Sequence, residues 1–582
     1  MLSLTRPKVQ PLNFTSITKL EKKQGYLSNF TSPLLQLTPS HAFTLEQSFE
    51  GVQVFGGTGS GKTSGSGKAL ARSLLHAGYG GLVLCAKPDE AENWLAHAKA
   101  TGRMGNVLHF SESNPLRFNF IQYELANGAS PFDIAELIDN IRRAGSTAES
   151  MGGGDNQQFW QDAGRDLLTA AMLVLYASTG GCVLDDLAQL IATAPRSIKE
   201  GEDDEWQRRS AFFSHYMAAV SHDGKYVSLA NLDKAAVGYF MGQFAPMSEK
   251  MRSSIVQTLM TSLNRFNYGF LNELFTKNTN VVPEMTHDGA IIIVDLPALR
   301  GADQRIAAQI WKYCFQRATT RQASETTRPV FLWADESQYF INEKDVEFQS
   351  TARSSRVTTV YMTQSLPAYK HAIGGTEKAN TATRAFIANL RTQIFHANND
   401  PETNLYAADL IGKSIVWRKN ISENESASKG KSRSWSQAVA ESLSKGSSWG
   451  DSHTQGDSLS RSSGDNYSRN YTGLGFFADT RNQGTNRNNS ASVNESTSSS
   501  TGGNSSNTYG TTSTDGTGES STYGQTRGHG AQEQKDYRLD PDHFNHHLRT
   551  GGASNGFMVD AIIVTPALPE PFTQISYDQR AD

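Results

Sequence analysis

Along this chain, apolar residues fall first into short runs, then into long stretches at helical spacing, then into runs again. Ala42–Gln47 and Gly51–Phe55 predict two strands joined by a tight turn. Leu82-Val83-Leu84-Cys85-Ala86 is a continuous apolar run of the kind buried in a parallel sheet, and Val107–Phe110 is another. A helix over Ala91–Thr101 separates them. From about Phe120 the rhythm changes. Residues 131–144, 156–177, 183–194, 204–220 and 247–275 carry apolar positions at helical spacing and almost no strand signal. Asp155-Asn156 reads as the N-cap of the helix that carries Phe159, Trp160, Leu167 and Leu168. Strand runs return at Ala290–Pro297, Val330–Glu336, Thr358–Gln364 and Gln393–His396. Helices are expected over Asp303–Gln322 and over Pro401–Ile411, the latter stopped by Gly412. Residues 1 to about 40 show no clear period and read as an arm with room for one short helix.

At about 420 the composition collapses into Ser, Gly, Asn and Thr. Stretches such as Ser498–Gly503 bury too little apolar surface to offset chain entropy, so a disordered segment is expected, with a turn or two of helix near Ser436–Leu443. The scattered aromatics Trp435, Trp449, Tyr467, Tyr471 and Phe476 do not change that picture. A clean strand follows at Phe557–Val564 after the turn Arg549–Gly552. It is expected to return to the sheet, which makes the low-complexity region an insertion rather than a tail.

The run Val52–Phe55 leads into Gly56-Gly57-Thr58-Gly59-Ser60-Gly61-Lys62-Thr63, which has the G-x-x-x-x-G-K-S/T spacing of a P-loop. Such glycines let several backbone N–H groups turn onto one phosphate at the positive end of the next helix. Lys62 adds a charge for the β- and γ-phosphates of ATP, and the Thr63 hydroxyl is a Mg2+ ligand candidate. A second Gly-Ser-Gly-Lys at Gly65–Lys68 has no strand before it. It reads as the first turns of the post-loop helix, with something packed close against its glycines.

The strand–helix alternation around this loop predicts an α/β fold, a RecA-like P-loop nucleotide-binding domain with an inserted all-α domain and a long disordered Ser/Gly-rich insertion. The expected division is an N-terminal arm (1–40), the ATPase domain in two parts (41–124 and 281–421), the all-α domain (125–280), the disordered insertion (422–533) and a C-terminal segment (534–582) returning to the ATPase domain.

Asp335-Glu336 ends the apolar run Val330–Ala334, a Walker B arrangement. Asp335 suits the Mg2+ shell, and Glu336 suits polarising the water that attacks the γ-phosphate. Gln364 ends the next strand and is expected to face the γ-phosphate, because ligands of open α/β sheets lie beyond the carboxyl ends of strands. Arg353, Arg356 and Arg391 are candidates for an arginine offered to a neighbouring subunit, with Arg353 favoured. Asp89, Glu90 and Glu92 read as solvated. His543, His546 and His547 beside Asp540 and Asp542 fit no standard metal spacing and read as a polar turn.

The 582 residues exceed one ordinary core, and a net charge of -4 places any DNA contact in local patches or in a ring of subunits. The three cysteines, Cys85, Cys182 and Cys314, sit in apolar settings and fit a reducing cytoplasm. No run of about 18 apolar residues occurs. The N-terminus, charged through Lys22 and Lys23, lacks a signal-peptide apolar region. The expectation is a cytoplasmic protein with no membrane span of its own, reaching the inner membrane only through a partner.

Gly56–Thr63, Asn114-Pro115-Leu116-Arg117-Phe118-Asn119, Phe159-Trp160, Leu332–Glu336, Arg353 through Thr363-Gln364-Ser365, and Phe395 to Asp400-Pro401-Glu402-Thr403 with Gly412 together resemble the conjugative coupling-protein ATPases. These are the VirD4/TraG/TraD group of type IV secretion, within the FtsK/HerA motor class. The resemblance implies a hexameric motor that hydrolyses ATP with Mg2+, moves DNA, and passes a DNA-processing (relaxase) complex to the secretion channel. It implies nucleotide-site roles at Lys62, Thr63, Asp335, Glu336 and Gln364, with Arg353 best matching the trans-acting arginine. The sequence departs from the group in having no N-terminal transmembrane helices. It also has Ala86-Lys87-Pro88-Asp89-Glu90 where the group has an Asp-Pro-Lys-Gly-Glu-like turn, and a long Ser-rich insertion. A competing reading is an ATP-gated secretion adaptor that binds protein substrates, which the near-neutral charge suits as well as DNA.

Overall fold

The computed structural model describes residues 30–145, 155–323, 327–373, 377–431, 442–454, 466–471, 477–482, 498–510 and 519–581. The chain divides into two compact units, one up to Leu410 together with Asp540–Asp582, the other Ile411–Leu539.

The first unit opens with an antiparallel pair, β1 (Pro33–Thr38) and β2 (His41–Thr44). β1 lies inside the stretch expected to be an arm. Its register shifts twice against β2, so its buried leucines, Leu34 and Leu37, lose the strict alternation that marks a strand. β2 is shorter than the expected Ala42–Gln47. Thr44 and Gln47 form a capping box, Thr44 N donating to Gln47 Oε1 at 2.8 Å, and this starts a helical turn at Leu45–Ser48.

The remaining strands fall close to the apolar runs. β3 (Val52–Phe55), β4 (Gly80–Leu84), β5 (Val107–Phe110), β6 (Ile291–Val294), β7 (Val330–Ala334), β8 (Val357–Thr363) and β9 (Thr392–Phe395) pair in parallel. On one face, helices Lys68–His76 and Glu90–Ala100 pack Leu70, Leu74 and Trp94 against Val54, Val83, Phe331, Trp333 and Met362. Trp94 stacks on Phe331 with ring centroids 5.3 Å apart. Helix Ala302–Arg321 buries Ile306, Ile310, Trp311 and Phe315, and Trp311 meets Phe118 at 4.3 Å and Phe110 at 5.1 Å. Aromatic pairs of this kind add about 1 kcal/mol each beyond the area they bury.

Between β5 and β6 the described backbone is helical and carries no strand. Helix Asp155–Thr179 is central. It touches Pro131–Gly145, Ala211–Ser221 and Glu249–Leu263, and it buries Leu167, Leu168, Ala171, Val174 and Leu175. These helices belong to the same compact unit as the sheet. Among the described residues no single helix is long and apolar enough to cross a membrane.

In the second unit β10 (Lys413–Lys431) pairs antiparallel with β15 (Glu519–Tyr537). β11 (Ser442–Thr454) pairs with β14 (Ser498–Gly510), and β12 (Asn466–Tyr471) with β13 (Phe477–Asn482). The insertion is present as expected, and its described backbone pairs in nested hairpins. Ladder hydrogen bonds satisfy backbone groups without needing a packed core. The helical turn expected near Ser436–Leu443 lies largely outside the described residues, and Leu443 is in β11.

The chain then re-enters the first unit. β16 (Met558–Val564) pairs antiparallel with β9, and β17 (Thr573–Asp578) with β16. The complete sheet runs β17-β16-β9-β3-β8-β7-β4-β6-β5. The expected return of the C-terminal strand is therefore observed. β17 carried no apolar signal, since its Thr-Gln-Ile-Ser-Tyr-Asp sequence is mostly polar. The histidines expected in a polar turn form a short helix, His543–His546, and no metal-binding cluster of three or more His, Cys, Asp or Glu occurs among the described residues.

Candidate nucleotide site

β3, β8 and β7 are neighbours in that order, and their carboxyl ends bring Gly56–Thr63, Gln364 and Asp335-Glu336 to one edge of the sheet. Gly56 N donates to Thr363 O at 3.2 Å and Gly57 N to Ala397 O at 2.9 Å, which ties the loop to β8 and to the end of β9. The amides of Thr58, Gly59, Gly61 and Lys62 have no acceptor among the described residues, and the buried Ser60 hydroxyl is likewise unpartnered. A concave set of unsatisfied donors fits a phosphate chain.

The far side of the loop is closed by the C-terminal segment. Gly61 has φ +82°, and a Cβ there would stand 2.6 Å from Val559 of β16; one at Gly65 would stand 3.0 Å from the same side chain. Val559 is thus a close neighbour of the kind the second glycine pair implied, at Gly65; a Cβ at Gly67 would instead stand 2.9 Å from Lys62 O. Thr63–Gly67 form a π-helical turn before the α-helix begins. Gln579 Nε2 donates to Ser64 Oγ at 2.7 Å, and Lys68 Nζ donates to Gln579 O at 3.1 Å. Ser66 Oγ lies 2.7 Å from His396 Nε2 at the end of β9. Burial pushes that imidazole down to about 3, so it is neutral.

Thr63 Oγ1 donates to Asp335 Oδ2 at 2.7 Å. One hydroxyl and one carboxylate brought together beside free loop amides form an oxygen donor set that fits Mg2+, which keeps several waters and takes few protein ligands. The Asp335 carboxylate also accepts from Glu336 N at 2.8 Å through its other oxygen. Glu336 sits in the left-handed region, φ 48° and ψ 47°, an uncommon conformation for a side-chain-bearing residue that clusters at functional sites.

Glu336 is 2 % exposed and crowded with donors. Lys62 Nζ is 3.4 Å and Lys87 Nζ 2.6 Å from Oε1. Gln338 Nε2 is 2.9 Å and Gln364 Nε2 3.2 Å from Oε2. Burial acts to raise its pKa, but the Lys62 charge and the Lys87 and Gln338 hydrogen bonds outweigh it and hold the carboxyl at about 2. Burial likewise acts to lower Lys87, and the contacts with Glu336 and the nearby Asp335 reverse this and raise it.

Glu90, expected to be solvated, is 6 % exposed and accepts from Ala86 N at 2.7 Å, with its Oε1 unpartnered. It begins helix Glu90–Ala100, whose Trp94 packs on Phe331 and Trp333 of β7. Burial, then the Asp335 charge, push its carboxyl up to about 9. Two carboxyls of one site are therefore driven in opposite directions. Lys87, Gln338 and Glu90 are the site neighbours that motif spacing does not single out. Lys87 lies three residues past the end of β4, in the turn set against the group's Asp-Pro-Lys-Gly-Glu-like one, and Gln338 four past the end of β7.

Arg353 is not brought to this edge. It follows helix Glu343–Ala352 and precedes β8, so it lies at the opposite end of the sheet from Gln364, roughly 20 Å or more along the strand. Its side chain is exposed and pairs with Glu46 at 3.3 Å and Glu50 at 3.2 Å. Arg391 reaches the same Glu50 at 3.5 Å, and Arg356 lies over the Phe30 ring.

Solved structures similar to this chain include the bacterial conjugative coupling protein TrwBdeltaN70 in its unbound monoclinic form, 11% identical, covering 96% of this chain and 93% of that one, with a TM-score of 0.48. The coupling protein TrwB in complex with the ATP analogue ADPNP is 14% identical over 67% of this chain and 82% of that one, TM-score 0.43. VirB4 of Thermoanaerobacter pseudethanolicus is 11% identical over 62% and 80%, TM-score 0.34. No curated protein matches the chain. Residues 25–443, more than half of the sequence, match the family described as type IV secretory system conjugative DNA transfer. The resemblance carried by the loop, the Asp335-Glu336 strand end and the segments between them is therefore borne out, and the chain belongs to that family.

Proposed function

We propose that this protein is an ATP-hydrolysing DNA translocase, a coupling protein that recruits and pumps DNA or a DNA–protein complex in conjugative or type IV secretion-like transfer. The observation that carries the reading is the meeting of Thr63 with Asp335 and of Lys62 with Glu336 across three strand ends, inside a chain of the conjugative DNA transfer family.

In this reading the free amides of Thr58, Gly59 and Gly61, with Lys62, bind the phosphate chain of ATP. Thr63 and Asp335 would hold Mg2+, which would supply positive charge to offset the phosphate chain. Glu336 orients the attacking water and takes its proton as the bond to the β-phosphate oxygen breaks. Gln364 holds the glutamate from the β8 side. Arg353 serves the site of a neighbouring subunit in a hexameric ring; its distance from its own loop and its exposed, weakly held side chain support that assignment. Relaxase or secretion-channel proteins would be the partners that receive the DNA.

The test is ATP turnover by the purified protein with and without single- and double-stranded DNA. DNA should stimulate turnover, and Lys62→Ala should abolish it. Equal rates with and without DNA would overturn the translocase. Partners that are proteins, and that survive nuclease treatment of the complex, would instead establish the adaptor that binds protein substrates.

A further inference from the structure

A carboxylate has about four lone-pair sites. Those of Glu336 are all in use, two by the ammonium groups of Lys62 and Lys87 at Oε1 and two by the amides of Gln338 and Gln364 at Oε2. In this state the glutamate has no acceptor left for a water. One of the four donors must leave before Glu336 can act on the attacking nucleophile.

The surroundings decide which. Lys62 is buried within the loop, its side chain 7% exposed. Gln338 is fixed at its other end by Thr363 Oγ1, which donates to Gln338 Oε1 at 2.9 Å. Gln364 is fixed through its backbone carbonyl, which accepts from Asn398 Nδ2 at 2.8 Å. Lys87 is different. It stands on the turn after β4, its side chain is 39% exposed, and Glu336 is its ion-pair partner. A flexible stem carrying a compact charge makes it the donor free to move. It meets Lys62 at a single oxygen, so it is already beside the cation expected to hold the terminal phosphate. An arriving γ-phosphate adds negative charge next to Glu336, repels the carboxylate and attracts the more mobile ammonium.

We propose that Lys87 is a second phosphate-sensing cation, which holds Glu336 until a terminal phosphate arrives and then transfers to that phosphate, freeing Glu336 Oε1 for the attacking water. The proposal rests on the nucleotide-site reading above and names a residue that distinguishes ATP from ADP, since only ATP offers the γ-phosphate. It turns the Lys87–Glu336 contact from an ion pair into a restraint that the substrate itself releases.

The test is binding of fluorescent ADP and of a fluorescent, non-hydrolysable ATP analogue to the full chain. Lys87→Met should lower affinity for the ATP analogue about tenfold, the value of one hydrogen bond between charged groups, and leave ADP within about twofold. Lys87→Arg should restore part of the difference. Glu336→Gln removes the anion that competes for Lys87, so it should tighten analogue binding, and the gain should disappear in the double variant with Lys87→Met. Equal loss for both nucleotides, or no loss for either, would overturn the proposal. Lys62→Ala separates the two readings: if it weakens both nucleotides while Lys87→Met changes neither, only the role of Lys87 fails, and if the unaltered protein binds neither nucleotide, both readings fail.

Discussion

The two ends of the parallel strands both carry clusters of opposite charge, and they are built differently. At the carboxyl ends Lys62, Asp335 and Glu336 are buried and every polar atom of Glu336 is held. At the amino ends Arg353 and Arg391 share Glu50, with Glu46 beside them, and both arginines are exposed. Burying charge is costly unless geometry and further hydrogen bonds compensate, so the first cluster is rigid by necessity. Exposed pairs contribute about 0–1 kcal/mol, so the second can be traded for another partner at little cost. In the proposed reading, fixed charge sits where the reaction needs preorganisation, and exchangeable charge sits where a neighbouring subunit can take it over.

The comparison breaks most visibly at Glu336. Glu336→Gln should lower ATP turnover by about 10²–10⁴-fold while nucleotide binding persists, measured by steady-state hydrolysis beside equilibrium binding. If turnover survives, the buried cluster is not the catalytic one. Arg353→Ala should lower turnover of the assembled protein by roughly 10³-fold and shift unfolding by less than about 1 kcal/mol. Mixing it with Lys62→Ala subunits should restore some activity if the arginine acts across a boundary; no recovery would assign it to its own surface.

A smaller effect tests Glu90. Its folded-state carboxyl is raised from 4.5 to about 9, so between those pH values the folded chain holds a proton the unfolded chain has released. Stability should therefore fall as pH rises through that window, and Glu90→Gln should flatten the fall in a denaturant series run at pH 6 and pH 8.5. Glu336, lowered from 4.5 to about 2, runs the other way: its contribution is complete above 4.5 and is lost as pH falls toward 2. The smallest change is expected from Glu46→Gln, within about 0.5 kcal/mol, because it removes one exposed pair.

Much of this arrangement is legible in the residues themselves. Val107–Phe110 and Pro401–Ile411 are observed at the bounds their patterns predict. Lys62, Thr63, Asp335, Glu336 and Gln364 are brought together because strand ends and a loop of fixed spacing leave few other places for them. β1 is not legible, because two register shifts erase its alternation. Glu90 reads as solvated, because a carboxylate at a helix start is usually exposed, and only the packing of that helix against the sheet buries it. Lys87 is ambiguous on its own, since its partner lies 249 residues further along. Local periodicity specifies elements; which charged groups share a cavity depends on crossovers that periodicity does not contain.

The closing of the loop by β16 has a consequence for how the chain comes off the ribosome. Ser64 and Gln579 are 515 residues apart, and Val559 is the side chain against Gly61 and Gly65. A nascent chain carries the phosphate loop long before the segment that backs it. It acquires the wall behind that loop only after the helical segment, the serine-rich hairpins and β16 have all been synthesised. Chains interrupted between the loop and β16 therefore carry an unbacked loop, so a backed loop also reports that translation has passed β16.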